Sequence, residues 1–301
     1  MSEYLDFAQF YNRLHLTGAL VLDTGIRIGA GSEDSILGAD ISVVRDAWAR
    51  PFIPGSSLKG ILRAEVERLA RTIALRSPKD ADGQQLVWAC LNPLDMRQGL
   101  CVSATRKEEL AKDATRSDGL VDENKFTKSI AQESCPVCRL FGSPWLAGKL
   151  RVRDLPIDEK TWAGRVEVRD GVGIRRDTHT AAKNVLYSHE VVPAGAHFKI
   201  QILIENANDV ELGLAMLGLR ELQQGRLSIG GTSSRGLGRI RLEPWETIEF
   251  VNGADTDGLL DYLANGKGKE LVQDDLDQYI IDLVNKLRSN GEVSKSVPTS
   301  T

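Results

Sequence analysis

The chain has 301 residues, 42% of them hydrophobic and 27% charged, enough for a sizeable core in one large domain or two small ones. Its formal net charge of −4 argues against a generic basic nucleic-acid binder, and no apolar run is long enough to span a bilayer. The acid-bearing start MSEYLDFAQF lacks a basic-then-apolar leader, so a cytoplasmic chain is expected, in which four cysteines suit metal better than disulfides.

Arg13 to Leu22, with Leu14, Leu16 and Leu20 at even spacing, predicts a first strand. A loop with glycines at 25, 29, 31 and 38 follows, then a short extended run from Ile41 to Arg45. Phe52-Ile53-Pro54-Gly55-Ser56-Ser57 leads into an amphipathic helix over 57–75, whose Leu58, Leu62, Val66, Leu69 and Ile73 share one face. Residues 77–134 read as an insertion ending in a polar, weakly periodic loop. Lys149 to Ile157 alternates bases with apolar residues and predicts a strand with one basic face. The charged, Gly- and Thr-containing stretch 164–192 predicts two extended arms with a flexible tip. A half-buried strand at His197 to Glu205, an apolar helix at Val210 to Leu222, a glycine-rich loop and a strand at Arg239 to Glu243 complete the series. That order predicts an α+β, ferredoxin-like sheet with helices on one face. Nine acids and five bases fall after residue 251, which accounts for the whole net charge. This acidic part, 252–301, is expected to form one helix near 274–288 and a disordered end.

Four groups carry chemistry. A Pro-Gly turn that brings Gly55, Ser56, Ser57, Lys59 and Arg63 to a helix start suits a phosphate backbone. The bland alternative is an N-cap followed by two solvated bases. Cys135-x2-Cys138 has the spacing of a metal pair, and Cys90 and Cys101 complete a four-thiolate zinc set; four unrelated thiols are the alternative. In the loop 230–238, Gly231 lets a ribose-phosphate chain come close, and Ser233, Ser234 and Arg235 supply donors, unless the loop is only a glycine turn. Asp40, with Glu33 and Asp34 as competitors, either binds Mg²⁺ and activates a 2′-hydroxyl or caps a turn. The four histidines show no hydrolase spacing.

Together, IGAGSEDSILGAD, FIPGSSLKGILRAEVE, CPVCRLFG and GGTSSRGLGRIRL resemble the RAMP superfamily of CRISPR proteins over residues 13–243. More narrowly, they resemble the backbone subunit of type III effector complexes. The resemblance implies an RRM-like core over 1–251, a zinc-bearing insertion over 77–148 and a β-hairpin thumb at about 165–192. It implies guide-RNA contacts at Gly55, Ser56, Ser57, Lys59, Arg63, Arg175, Arg176, Gly231, Ser233, Ser234 and Arg235. Asp40 would cleave target RNA with Mg²⁺ or Mn²⁺, and a structural Zn²⁺ would sit at Cys90, Cys101, Cys135 and Cys138. The implied partners are a CRISPR guide RNA, target RNA, neighbouring RAMP subunits and other type III subunits, including the large polymerase-like one; no membrane is implied. Two other readings are a scaffold that binds RNA without cutting and a repeat-processing endonuclease. The latter relies on a His near the first helix, and 57–75 has none.

Overall fold

The computed structural model describes residues 7–29, 42–77, 85–90 and 101–295, with the backbone alone at 181–186 and 290–295. In chain order the elements are β1 (Asn12–Leu22), β2 (Phe52–Ile53), α1 (Gly55–Arg76), α2 (Ala104–Asp113), α3 (Glu123–Glu133) and α4 (Pro136–Phe141). Then come β3 (Leu150–Val152), β4 (Leu155–Pro156), β5 (Glu167–Ile174), β6 (Ala181–Val191), β7 (His197–Glu205) and α5 (Asp209–Gln223). The chain finishes with β8 (Ile240–Leu242), β9 (Thr247–Asn252), α6 (Thr256–Asn265), β10 (Lys269–Glu270) and α7 (Gln273–Lys295).

The main sheet has the strand order β10-β9-β1-β7-β3, with β8 beside the second half of β1. Every neighbouring pair in it is antiparallel. The protein is therefore α+β with an antiparallel sheet, in an order consistent with a ferredoxin-like core. β8 and β9 share one side of β1: Leu20–Leu22 pair with β8, and Asn12–Thr17 pair with β9. Between them the Glu243 and Glu246 amides return to the Ala19 and Thr17 carbonyls, so Pro244-Trp245 forms a kink rather than an end.

β1 alternates as its sequence demands. Leu14, Leu16 and Leu20 are fully buried, while Arg13, His15 and Thr17 point to the open face. α1 lies on the closed face through Leu58, Leu62, Val66 and Ala70. The small Ala70, rather than Leu69 or Ile73, completes the buried stripe. Burying each of the three larger side chains stabilises by about 1.5–3 kcal/mol. α5 covers the rest of that face, its start fixed by a reciprocal capping box between Asn208 and Glu211. The helices touch closely: a Cβ on Gly218 would come 2.8 Å from Val66 of α1, and one on Gly213 would come 2.8 Å from Leu283 of α7.

Three sequence expectations change. The end of the insertion is not a loop but two capped helices, α2 and α3, with Ser103 and Asp122 as N-caps. They close a separate small core of Val102, Leu110 and Ile130, against which Phe126, Trp145 and Leu146 pack. The expected strand 149–157 is broken. β3 pairs with β7, and β4 turns away at Arg153-Asp154 to pair with β2. Lys149, read as part of a basic face, is buried and ion-paired to the fully buried Glu211 at 2.7 Å. Beyond residue 251 the helix expected near 274–288 forms as α7, but α6 and β10 precede it, and Leu276, Ile280 and Leu283 of α7 join the main core. No helix among the described residues is long and apolar enough to cross a membrane.

Candidate nucleic-acid interface and metal centre

The first turn of α1 is held by the broken strand. Gly55 N–H donates to the Asp154 carboxylate at 2.8 Å, which is why the chain bends there. A Cβ on Gly55 would lie 2.3 Å from the Val152 carbonyl oxygen and 2.7 Å from that of Arg153, so only glycine fits. The N-cap residue, Pro54, gives no side-chain cap; instead Asp154 takes the Gly55 amide, and the Pro54 carbonyl takes those of Ser57 at 2.9 Å and Leu58 at 3.4 Å. Ser56 is exposed and Ser57 half-buried. Lys59 donates to the Leu150 carbonyl at 2.8 Å. Burial, with the nearby Arg63 and Arg151 charges, lowers the Lys59 pKa below the ordinary lysine value. An anion beside it would reverse that penalty.

Arg63 sits differently. Its guanidinium donates to Glu67 at 2.8 Å and to the Gly142 carbonyl at 2.9 Å, and approaches Cys138 Sγ at 3.5 Å. Burial works against its charge, but Glu67 and Cys138 outweigh that and raise its pKa.

The glycine-rich loop, the hairpin and the segment after β1 converge. Gly230 has φ +86°, and a Cβ there would lie 2.3 Å from the Arg27 carbonyl oxygen. Gly231 N–H donates to that oxygen at 2.8 Å, and Gly238 N–H donates to the Gly25 carbonyl at 2.8 Å. Ser233, Ser234 and Arg235 form an exposed single turn, and Arg235 donates to the Tyr187 hydroxyl of β6 at 2.9 Å. Tyr187 stacks on His189 with ring centroids 5.9 Å apart and lies across Gly171 of β5. His189 is 7% exposed, and its Nδ1 has no hydrogen-bond partner among the described residues. Burial and the Arg27 and Arg169 charges lower its pKa. At the hairpin base, Glu190 accepts from the Val43 amide at 3.0 Å and from Arg45 at 2.8 Å. Gly29 and Val43 bridge in turn.

Asp40, with Glu33 and Asp34, lies outside the described residues. Arg175 and Arg176 are exposed at the hairpin tip, between the paired Ile174 and Ala181. Sequence reasoning passed over Tyr187 and Glu190 and weighed His189 only as a histidine without hydrolase spacing; all three sit on a strand read only as an arm. Their signal was the alternation Tyr187, His189, Val191 opposite a glycine-containing strand.

Cys90, Cys101, Cys135 and Cys138 meet, all four sulfurs lying within 4.8 Å of one another. Thiolates about 2.3 Å from one tetrahedral ion sit about 3.8 Å apart, so a set of this size could hold one metal ion. The CxxC pair opens α4, with the Cys138 amide on Cys135 Sγ at 3.3 Å, and the Cys135 amide on Cys101 Sγ at 3.2 Å. Hydrogen bonds from Cys101, Cys138 and Cys90 hold Cys135 well below the ordinary thiol range.

These elements define a class: an α+β protein with an antiparallel sheet, a long two-stranded hairpin and a four-cysteine cluster able to hold a metal. The sequence matches the RAMP superfamily over residues 19–241, and the chain belongs to that superfamily. Four curated relatives that the chain matches are named CRISPR system Cms endoribonuclease Csm3. The protein from Methanocaldococcus jannaschii is 29% identical over 245 residues, 77% of this chain and 79% of that relative. The one from Methanothermobacter thermautotrophicus is 27% identical over 276 residues, 85% of this chain and 97% of the relative. The one from Mycobacterium tuberculosis is 48% identical over a shorter match of 60 residues, 19% of this chain and 25% of the relative.

Proposed function

We propose that this chain is a guide-RNA-binding backbone subunit of a type III CRISPR interference complex and that it cleaves complementary target RNA at Asp40. Base pairing between guide and target reads sequence, while the protein grips the backbone. The observation that carries the reading is the convergence at the hairpin base. There Arg235 of the glycine-rich loop meets Tyr187, and Glu190 holds Val43 and Arg45, close in sequence to Asp40. Two relatives named endoribonuclease, matched over more than three quarters of their length, support the same reading.

In this reading the RRM-like core presents two backbone grips. One is the first turn of α1, with Ser56, Ser57 and Lys59; the other is Gly231, Ser233, Ser234 and Arg235. The hairpin 165–192 acts as the thumb, its exposed Val168, Val172 and Ile174 forming an apolar edge and Arg175 and Arg176 a basic tip. Asp40 would hold Mg²⁺ or Mn²⁺, which would supply Lewis acidity at the scissile phosphate. Zn²⁺ is the natural occupant of the four cysteines, because soft thiolates in a closed set of four favour it, and its task is structural. Target RNA, neighbouring RAMP subunits and the other type III subunits are the partners, in the cytoplasm.

The test is an assembled complex given complementary RNA and Mg²⁺. Cleavage is expected from the wild type and its loss from Asp40→Ala. Cuts that persist unchanged in Asp40→Ala would refute the catalytic role, and a wild-type complex that retains RNA of uniform length without cutting it would make the chain a scaffold.

A further inference from the structure

Arg63, Glu67 and Arg71 stand at i, i+4 and i+8 along α1, on the side that meets the cysteine cluster. One Glu67 oxygen accepts from Arg63 Nε at 2.8 Å and the other from Arg71 Nη2 at 2.8 Å, so a single carboxylate locks both guanidinium groups. The Glu67 side chain is only 12% exposed. The remaining donors address the cluster. Arg63 Nη2 lies 3.5 Å from Cys138 Sγ, and Arg71 Nε and Nη2 lie 3.3 and 3.2 Å from the Cys90 carbonyl oxygen. Arg63 Nη1 also donates to the carbonyl of Gly142, the residue that ends α4, at 2.9 Å. The two sulfurs addressed from α1, those of Cys90 and Cys138, are themselves 3.5 Å apart.

We propose that Arg63-Glu67-Arg71 is an outer bracket of the metal centre, and that Arg63 is a positioning residue for the Cys138 thiolate rather than a contact for RNA. The proposal rests on reading the four cysteines as a metal centre. Four thiolates around a divalent ion carry a net charge of about −2. An N–H donor and a fixed cation beside one sulfur offset part of that charge and set the sulfur's direction. Outer partners of this kind typically change metal affinity by about 10–100-fold. Only a planar fork can serve Glu67, Gly142 and Cys138 at once, so lysine is no substitute. The bracket also joins two parts of the molecule. The same helix that carries Ser56, Ser57 and Lys59 in its first turn is clamped two turns later to the metal ligands.

The test uses the full chain loaded with Co²⁺, comparing wild type, Arg63→Met, Arg63→Lys and Glu67→Gln. Two quantities are read: the rate of metal transfer to a chelator, and the position of the thiolate-to-cobalt charge-transfer band. Arg63→Met is expected to release metal about tenfold faster or more and to shift the band. Glu67→Gln should follow in the same direction, and Arg63→Lys should not restore wild-type behaviour. Wild-type release and an unshifted band in Arg63→Met and Glu67→Gln would overturn the bracket. Glu67→Gln decides alone if Arg63→Met does not fold. A wild-type chain that takes up no Co²⁺ would instead refute the metal centre itself, and the bracket with it.

Discussion

Two glycines five residues apart on α1 should respond to the same substitution with opposite sign. Gly55→Ala would place a Cβ 2.3 Å from the Val152 carbonyl oxygen, where a relaxed C···O contact is about 3.3 Å. Roughly 1 Å of movement is needed, and both colliding oxygens, those of Val152 and Arg153, belong to backbone that cannot swing aside as a side chain does. Overpacking of this kind costs about 1–3 kcal/mol. The displacement also pulls the Gly55 amide from Asp154. Gly60 is exposed inside the same helix, and a Cβ there meets nothing within 4 Å. Gly60→Ala should therefore stabilise by about 0.5–1 kcal/mol through the unfolded chain's lost freedom. At about 2–4 °C per kcal/mol, thermal unfolding of the purified chain should fall by roughly 2–12 °C for Gly55→Ala and rise slightly for Gly60→Ala. In the assembled complex, Gly55→Ala should also retain less guide RNA. A Gly55→Ala protein that melts at the wild-type temperature would refute the idea that α1 is seated against the 152–153 backbone.

Other expectations concern buried charge and the hairpin base. Glu211 is fully buried, with Lys149 at 2.7 Å and Arg139 at 2.8 Å, so Glu211→Gln should cost about 3–5 kcal/mol in urea unfolding; a loss below about 1 kcal/mol would show that solvent screens the triad. His189 has a folded pKa below its ordinary 6.5, so the unfolded state binds more protons just below that pH. Stability should therefore fall as pH drops through 6.5, more steeply for the wild type than for His189→Gln, and parallel stability curves would refute this. Tyr187→Phe removes the acceptor for the Arg235 guanidinium, which at this exposed position should cost at most about 1 kcal/mol. Its main expected effect is weaker guide retention, measured as RNA per complex; retention equal to wild type would separate the loop from the hairpin.

Much of the fold was legible because its signals are local. Leu14, Leu16 and Leu20 alternate, as do the residues of 197–205, and Leu58, Leu62 and Val66 recur at helical spacing. The helices of the insertion were missed because their apolar residues are few and pack mainly on one another and on Trp145 and Leu146, which lie far along the chain. The break at Arg153-Asp154 was invisible for a similar reason: Asp154 is spent on an amide 99 residues earlier. The last part of the chain read as an acidic tail because charge dominates it, yet Leu276, Ile280 and Leu283 seat α7 on α5.

The sequence by itself determined the donor types: four cysteines with a CxxC pair, a Pro-Gly turn before two hydroxyls and a lysine, and a glycine-rich loop ending in donors. Those are properties of residue chemistry and short spacing, which the chain carries unfolded. Only the tertiary structure decided which of them work together. It drew Cys90 and Cys101 to a pair more than thirty residues on, and it turned Lys149 inward to Glu211. It also separated Lys59 from Arg63, which share a helix and a spacing. Lys59 reaches the strand edge and Arg63 reaches the Cys138 sulfur, because the start of the helix faces β3 while the following turn meets α4.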